Sequence, residues 1–544
     1  MKRDSGVPNA TERAAPWIAA LAVALPVLAY RYPPMQDLPN HEEVVAAMRH
    51  FSDRGRYPAG LHVWNLGHPN QLFYFMAWAL TLVTPVDAAC KIAVAGCLAA
   101  TPLAAARLAE HLGSTRWAAV AVAPLALGFA FYWGFVGSLL GLSILLASLP
   151  LIDAMTRAPT VGRATLTSLV FLLLYLAHES ALVCGCLALV VLSLGRPVGL
   201  RPALVRAMPL LAAGLVILFE QVRAVRSMGP NLSSLPGMIN LALWQKIDGA
   251  PEALLGLHGE TATQAPFILI LASVVFLCVD RARLGGFRTG MPLRDRFDAH
   301  RFELLGALLV VTYFVFPFSI QGAMWLHARF LAPGVAILAV AVAPRRDVPS
   351  IITRVACVAS IGAVLRMLRP EFDATSALYR SLDPLLADIE PGCAVAAVDL
   401  VGGPFPNLVF TVGGAAVRAA TERGGRMAVS FLQTSPIPPI IIAREHRWDG
   451  AMQRMEGDGA GLRPAFDLKR FRYVLAMAQG EQADQLAQAM APEARLVARS
   501  GAWFLFESTL ALAPITATEP VVDGSESVGD RLAALARKAG ATPQ

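Results

Sequence analysis

Leu172-Leu-Leu-Tyr-Leu-Ala-His178-Glu179-Ser-Ala-Leu-Val-Cys-Gly-Cys-Leu-Ala-Leu-Val-Val-Leu-Ser-Leu194 is an apolar run broken by one histidine and one glutamate. About 20 apolar residues cross the roughly 30 Å of bilayer hydrocarbon, so a run of this length belongs in a membrane. A charge within it costs about 2.5–3.5 kcal/mol on insertion scales. His178 and Glu179 are therefore candidate functional residues, or else the junction between two spans.

Stretches of the same kind recur on both sides. Candidate spans fall at 16–31, 87–107, 116–133, 135–152, 163–178, 179–195, 203–222, 265–281, 303–321, 328–343 and 350–367, eleven in all. The 544-residue chain is 56% hydrophobic and only 16% charged, which excludes an ordinary soluble enzyme of this size. The expected fold is a polytopic α-helical membrane protein of about 11 to 13 spans with a C-terminal soluble α/β domain. The first span reads as retained rather than as a cleaved signal, because Arg31-Tyr-Pro-Pro follows it without a small-residue cleavage site.

Orientation follows from arginine in short loops. Arg107/Arg116, Arg157/Arg163, Arg196/Arg201/Arg206, Arg281 to Arg301 and Arg345/Arg346 form one set, expected to be cytoplasmic. The stretch 32–86, Tyr132-Trp133-Gly134, His178-Glu179, 223–264 and 321–327 form the other, expected outside. Counting the apolar stretch 71–86 as a crossing would invert this pattern, so it reads as a re-entrant or surface-lying helix. The net charge of +7 reports this loop pattern and not a nucleic-acid partner.

After Pro370 the text changes to short β-rich runs at 394–401, 408–412, 440–443, 473–477 and 503–506, with a helical segment at 479–490. The domain expectation is a cytoplasmic N-terminus at 1–15, a membrane domain at 16–369 carrying the outer loop 32–86, an extracytoplasmic α/β domain at 370–509, and a disordered tail at 510–544. Six cysteines lie in apolar stretches and Cys393 stands alone in the tail domain, which suggests neither a disulfide framework nor a zinc site. There is no internal repeat, phosphate-binding loop or dinucleotide fingerprint.

The outer loop opens Tyr32-Pro-Pro-Met-Gln-Asp37-Leu-Pro-Asn-His41-Glu42-Glu43. Asp37 and His41 are spaced to share a helix face, with Asn40 as the expected N-cap because of Pro39. Glu42 and Glu43 either bind substrate or simply favour the positive end of that helix. Downstream, His62, Trp64, His68 and Asn70 form an imidazole and aromatic group. Lys246, His327 and Arg329 add cationic or potentially cationic groups to the same outer set, suited to a phosphate.

These features resemble the GT-C glycosyltransferases, multi-spanning enzymes that take sugars from polyprenyl-phosphate carriers, and within them the bacterial mannosyltransferase and aminoarabinose-transferase-like group. The residues that carry the resemblance are Tyr32-Pro-Pro-Met-Gln-Asp37, His41, the Asn70-centred segment, Arg329-Phe330, and Arg472-Tyr-Val-Leu with Gly501-Ala-Trp-Phe-Leu-Phe506. The resemblance implies a catalytic carboxylate at Asp37, assisted by His41. Read from the residues themselves, Glu42, His68, Asn70, His178, Glu179, Lys246, His327 and Arg329 are the expected substrate-binding residues, with the cations on a lipid phosphate. The resemblance also implies a polyprenyl-phosphate sugar as donor, a glycan, lipid or protein as acceptor, and a bacterial inner-membrane location, with a divalent cation left open. Many relatives carry a second acid on the loop matching Tyr132-Trp-Gly-Phe135, and this sequence has none there. A transporter or lipid flippase, or a non-catalytic envelope-assembly protein, is the alternative reading.

Overall fold

Among the described residues six helices are long and apolar enough to cross a membrane: Ala10–Ala29, Val86–Leu112, Val136–Arg157, Leu200–Arg223, Thr261–Arg283 and Ile351–Ala387. Shorter apolar helices follow at Trp117–Trp133, Val161–Ala177, Glu179–Ser193 and His327–Ala341. The computed structural model describes residues 10–228, 237–284, 293–320, 323–345, 348–401, 411–427, 429–455, 458–514, 516 and 524–538. The chain divides into two compact units, Met1–Tyr30 with Ala93–Pro370 and Arg31–Ile92 with Glu371–Gln544.

In the first unit the helices pack through small residues, as membrane helices do when van der Waals contact replaces the hydrophobic drive. A Cβ on Gly306 would sit 2.9 Å from the backbone nitrogen of Leu338, and one on Gly334 2.9 Å from that of Val310. The helices Arg301–Val315 and Leu331–Ala341 therefore touch backbone to backbone. Large apolar side chains such as Leu211, Leu215, Phe219 and Ile268 remain exposed, the surface a lipid environment would cover.

The arginine-bearing loops grouped by the sequence meet at one end of this unit. Glu12 accepts from the Thr115 hydroxyl, Thr115 donates its backbone N–H to the carbonyl of Pro344, and Arg301 reaches Asp153. Arg346 lies outside the described residues. The complementary loops also come together: Ile239 bridges Ser319, Tyr132 packs its ring on His258, and Arg329 pairs with Glu179.

The second unit is built on a five-stranded sheet in the order Arg426–Met427, Ala394–Asp399, Tyr473–Met477, Trp503–Ser508, Ala494–Ser500. The first three strands are parallel and the last two join antiparallel. Both faces are covered. Ala396, Val398, Val474 and Phe504 point into one core, while Val395, Leu475, Trp503 and Leu505 point into the other. Period-two alternation between two apolar faces explains why these runs read as nearly continuous hydrophobic text.

Three differences from the sequence reading stand out. The stretch 31–92 belongs to the unit of the C-terminal sheet and not to the membrane body. Tyr32 is buried in the sheet's second core, His62–Trp64 pairs antiparallel with Ile440–Ile442, and the helix Leu38–Arg49 packs on Thr411–Arg423. An added Cβ on Gly414 would lie 3.4 Å from Cγ of Pro39 across the last contact, and 2.5 Å from the Tyr379 hydroxyl of the helix Ile351–Ala387. Within 71–86 the helix is only Leu72–Leu80, nine residues or roughly 14 Å, too short to cross a bilayer, which agrees with the expectation that this stretch is not a crossing.

Of the expected strand 408–412, residues 408–410 lie outside the described residues and Thr411 begins a helix. The expected disordered tail contains the helix Val528–Lys538. Val528 enters the first core, and Arg531 forms a two-pronged ion pair with Glu493 at 2.9 Å.

Candidate functional site

The helix Leu38–Arg49 starts one turn earlier than Asn40, with Asp37 in the N-cap position. Pro39 is no obstacle, because the first-turn N–H groups have no intrahelical partner to lose. An aspartate in this position ordinarily caps the helix. Asp37 makes no side-chain capping bond, and its carboxylate has no hydrogen-bond partner among the described residues. Burial raises its pKa to about 7, since nothing compensates the loss of water.

One helical turn on, His41 is buried and its Nδ1 lies 2.8 Å from the Tyr74 hydroxyl. Its ring is flanked by Phe73, Tyr74 and Phe431 at 5.9, 5.4 and 5.3 Å. The Tyr74 hydroxyl is pushed upward first by burial and then by the charge of Asp37, which places carboxylate, phenol and imidazole in one electrostatic group. Sequence reasoning missed Tyr74. It sits in an apolar stretch where an aromatic ring is expected as packing.

Glu42 has a structural assignment. It is buried and accepts from Arg418 at 3.2 Å, while the Arg418 guanidinium lies 3.9 Å from the centre of the Tyr32 ring. This pair joins the outer-loop helix to the helix Thr411–Arg423, so its carboxylate is engaged with protein rather than substrate. Glu43 is buried too, and burial pushes its pKa up to about 8.

His68 donates from Nε2 to the Asn65 side-chain oxygen at 3.0 Å, and the Asn65 amide nitrogen donates to the carbonyls of Pro436 and Pro438. That network anchors the segment to the chain before Ile440. Asn70 has φ +63° and a buried amide oxygen with no partner, so it retains an acceptor. A left-handed backbone is easier for asparagine than for most residues.

The remaining candidates lie in the first unit. His178 has extended backbone between two helices, and its Nδ1 accepts from the Ser180 N–H at 3.1 Å, capping the second helix. Arg329 reaches His178 Nε2 and Glu179, both at 3.3 Å, and lies over the Phe135 ring. Arg329 lines a small cavity with Phe129, Phe135, Ser138 and Ser180. Trp133 stacks on Phe135, with Trp325 5.9 Å away, so aromatic faces border the guanidinium.

Lys246 departs from expectation. Its ammonium is buried and donates to the carbonyls of Phe314 and Phe316 at 2.9 and 2.7 Å and to Asn240 at 2.9 Å. All three donors are used, two of them on carbonyls at the C-terminal end of the helix Arg301–Val315 and one on Asn240, leaving none for a phosphate. His327 is likewise buried, stacked on Tyr313 at 5.1 Å and on Trp325 at 6.3 Å. Among the described residues no group of three or more His, Cys, Asp or Glu side chains could hold a metal ion.

No family model and no curated protein matches this chain. Among solved structures it is similar to ArnT from Cupriavidus metallidurans bound to undecaprenyl phosphate, at 12% identity over 93% of this chain and 100% of that one, with a TM-score of 0.49. It is also similar to the apo oligosaccharyltransferase of Archaeoglobus fulgidus, at 10% identity over 88% of this chain and 71% of that one, with a TM-score of 0.41. Likenesses this distant carry no argument about function, which rests on the residues themselves.

Proposed function

We infer that the chain is a membrane glycosyltransferase of the GT-C type. It moves a sugar from a polyprenyl-phosphate carrier to an envelope glycan, lipid or protein at the outer face of a bacterial cytoplasmic membrane. The observation that carries this reading is Asp37: an uncommitted carboxylate with a pKa near 7, at the start of the first loop after the first long apolar helix. A general base works best when its pKa lies near the working pH.

In this reading Asp37 accepts the proton of the acceptor hydroxyl as its oxygen bonds to the anomeric carbon. The bond from that carbon to the carrier phosphate breaks, and the phosphate leaves with the electron pair. His41 with Tyr74 positions the base in the second unit, and in the first unit Arg329 is the candidate cation for a phosphate.

The test is transfer from a panel of labelled polyprenyl-phosphate sugars by the purified full-length protein, with Asp37→Asn alongside. A loss of about 10²–10⁴-fold in transfer is expected for the variant, with thermal stability retained. Full activity in Asp37→Asn would falsify the assigned base.

A further inference from the structure

Within the second unit the C-terminal end of the helix Leu38–Arg49, the loop after it, the turn before Val86 and the helix Thr411–Arg423 enclose a cavity of 540 Å³. A cavity this large accommodates a small-molecule ligand or a lipid headgroup. Its wall carries five arginines, Arg31, Arg49, Arg56, Arg418 and Arg423, against two acids, Asp87 and Glu422, with His50 between them.

Several of these guanidiniums are tethered from behind without being saturated. Arg31 donates to Asp383 at 2.7 Å, Arg423 uses its Nε on the Leu386 carbonyl, and Arg56 has Asp53 at 3.7 Å. Each guanidinium has five N–H groups, so donors remain after one such bond. Arg418 is 6% exposed and paired with Glu42, yet its Nε has no partner. Arg49 has no hydrogen bond or ion pair among the described residues. His50 is held below its ordinary pKa by burial first and then by Arg56 and Arg49, with Asp53 opposing. The N-terminus of the 27-residue helix Val86–Leu112 also opens on this space and adds its partial positive charge.

The composition is unexpected for this stretch. Arginines of the first unit gather in loops that orientation explains, whereas Arg31, Arg49 and Arg56 flank a stretch expected on the other side, where that bias predicts few. The tethers arrange the guanidiniums around a void, which is how a site for a multiply charged oxyanion is built.

We propose that this cavity binds a phosphate-bearing ligand through Arg49, Arg56 and Arg418, either a soluble phosphate ester or a lipid phosphate headgroup. A phosphate carries about 1.5 to 2 negative charges and three acceptor oxygens, matching several guanidiniums better than a single carboxylate does. The site is separate from the Asp37 group, and its test needs no sugar transfer.

Full-length protein in non-ionic detergent is titrated with pyrophosphate in one arm and with solubilised phosphatidic acid in the other, with phosphatidylcholine as the uncharged control. Binding is read by thermophoresis for the soluble ligand and by native mass spectrometry for the lipid. The expected result is binding of at least one phosphate ligand, weakened tenfold or more in Arg49→Ala/Arg56→Ala and weakened by added salt. The arm with the tighter binding identifies the source. The single variant Arg49→Glu, at an exposed residue, reverses the local charge without touching either core and is expected to abolish binding. Equal binding by wild type and both variants overturns the proposal, as does the absence of binding in both arms at millimolar ligand.

Discussion

Asp37 and Asp153 are the same residue type in opposite circumstances. Asp153, in the helix Val136–Arg157, is completely buried and receives Arg301 at 2.8 Å, Arg157 and Arg196 at 3.0 Å, and His111 at 2.9 Å. Asp37 is half-buried and has no hydrogen-bond partner among the described residues. One carboxylate ties together four segments of the first unit, while the other is left with an unmet demand for a proton or a ligand. Burial without partners is costly and persists only where something offsets it, which is why such groups mark functional sites.

The contrast can be broken most sharply at Asp153. Asp153→Ala leaves the largely buried Arg196 and Arg301 without their shared carboxylate, and a loss of about 3–5 kcal/mol is expected. It would appear as a large fall in thermal midpoint or in yield of folded protein. A variant as stable as wild type would show that the arginines are solvated rather than tied.

Next comes the pH dependence of transfer. Because the Asp37 carboxyl is raised to about 7, kcat/KM is expected to fall about tenfold per unit below that value and to level above it. The same shift acts on stability in a definite direction. The folded state holds this proton more tightly than the unfolded chain, whose carboxyl titrates near 3.8, so stability declines as pH rises from about 4 through about 7. Asp37→Asn removes that decline, and a stability profile unchanged by the substitution would contradict the raised pKa.

Lys246 and Arg329 separate next. Lys246→Met removes the donor to three acceptors and is expected to cost about 1–3 kcal/mol of stability while leaving the donor KM unchanged. Arg329→Lys keeps the charge but loses the planar fork, and is expected to raise the donor KM by about tenfold with little change in thermal midpoint. Reversed outcomes would exchange their roles.

The smallest effect on transfer is at Glu43, whose carboxyl is held up to about 8. Glu43→Gln is expected to leave stability nearly unchanged at pH 5 and to raise it at pH 9, where the buried carboxylate would otherwise ionise, read from thermal midpoints across that range.

Much of the build was legible because it is local. Apolar length marked the long helices, period-two runs marked the strands at Ala394–Asp399 and Tyr473–Met477, and the spacing of Asp37 and His41 put them one turn apart. The spacing puts the cap at Asn40, whereas a first-turn proline at Pro39 is tolerated and the cap falls at Asp37. Lys246 reads from the sequence as a phosphate ligand because nothing local announces that two carbonyls 68 and 70 residues away accept from its ammonium.

Length, hydrophobicity and alternation are properties of neighbouring residues, and they suffice to specify many apolar helices with an α/β segment after them. Which charged groups have partners is settled by packing between distant segments. The partner of Glu42 lies 376 residues away and that of Asp153 in Arg301 lies 148 residues away. Whether a carboxylate is spent on a salt bridge or left to titrate near neutrality depends on such non-local neighbours, because desolvation and Coulomb attraction act through space and not along the chain.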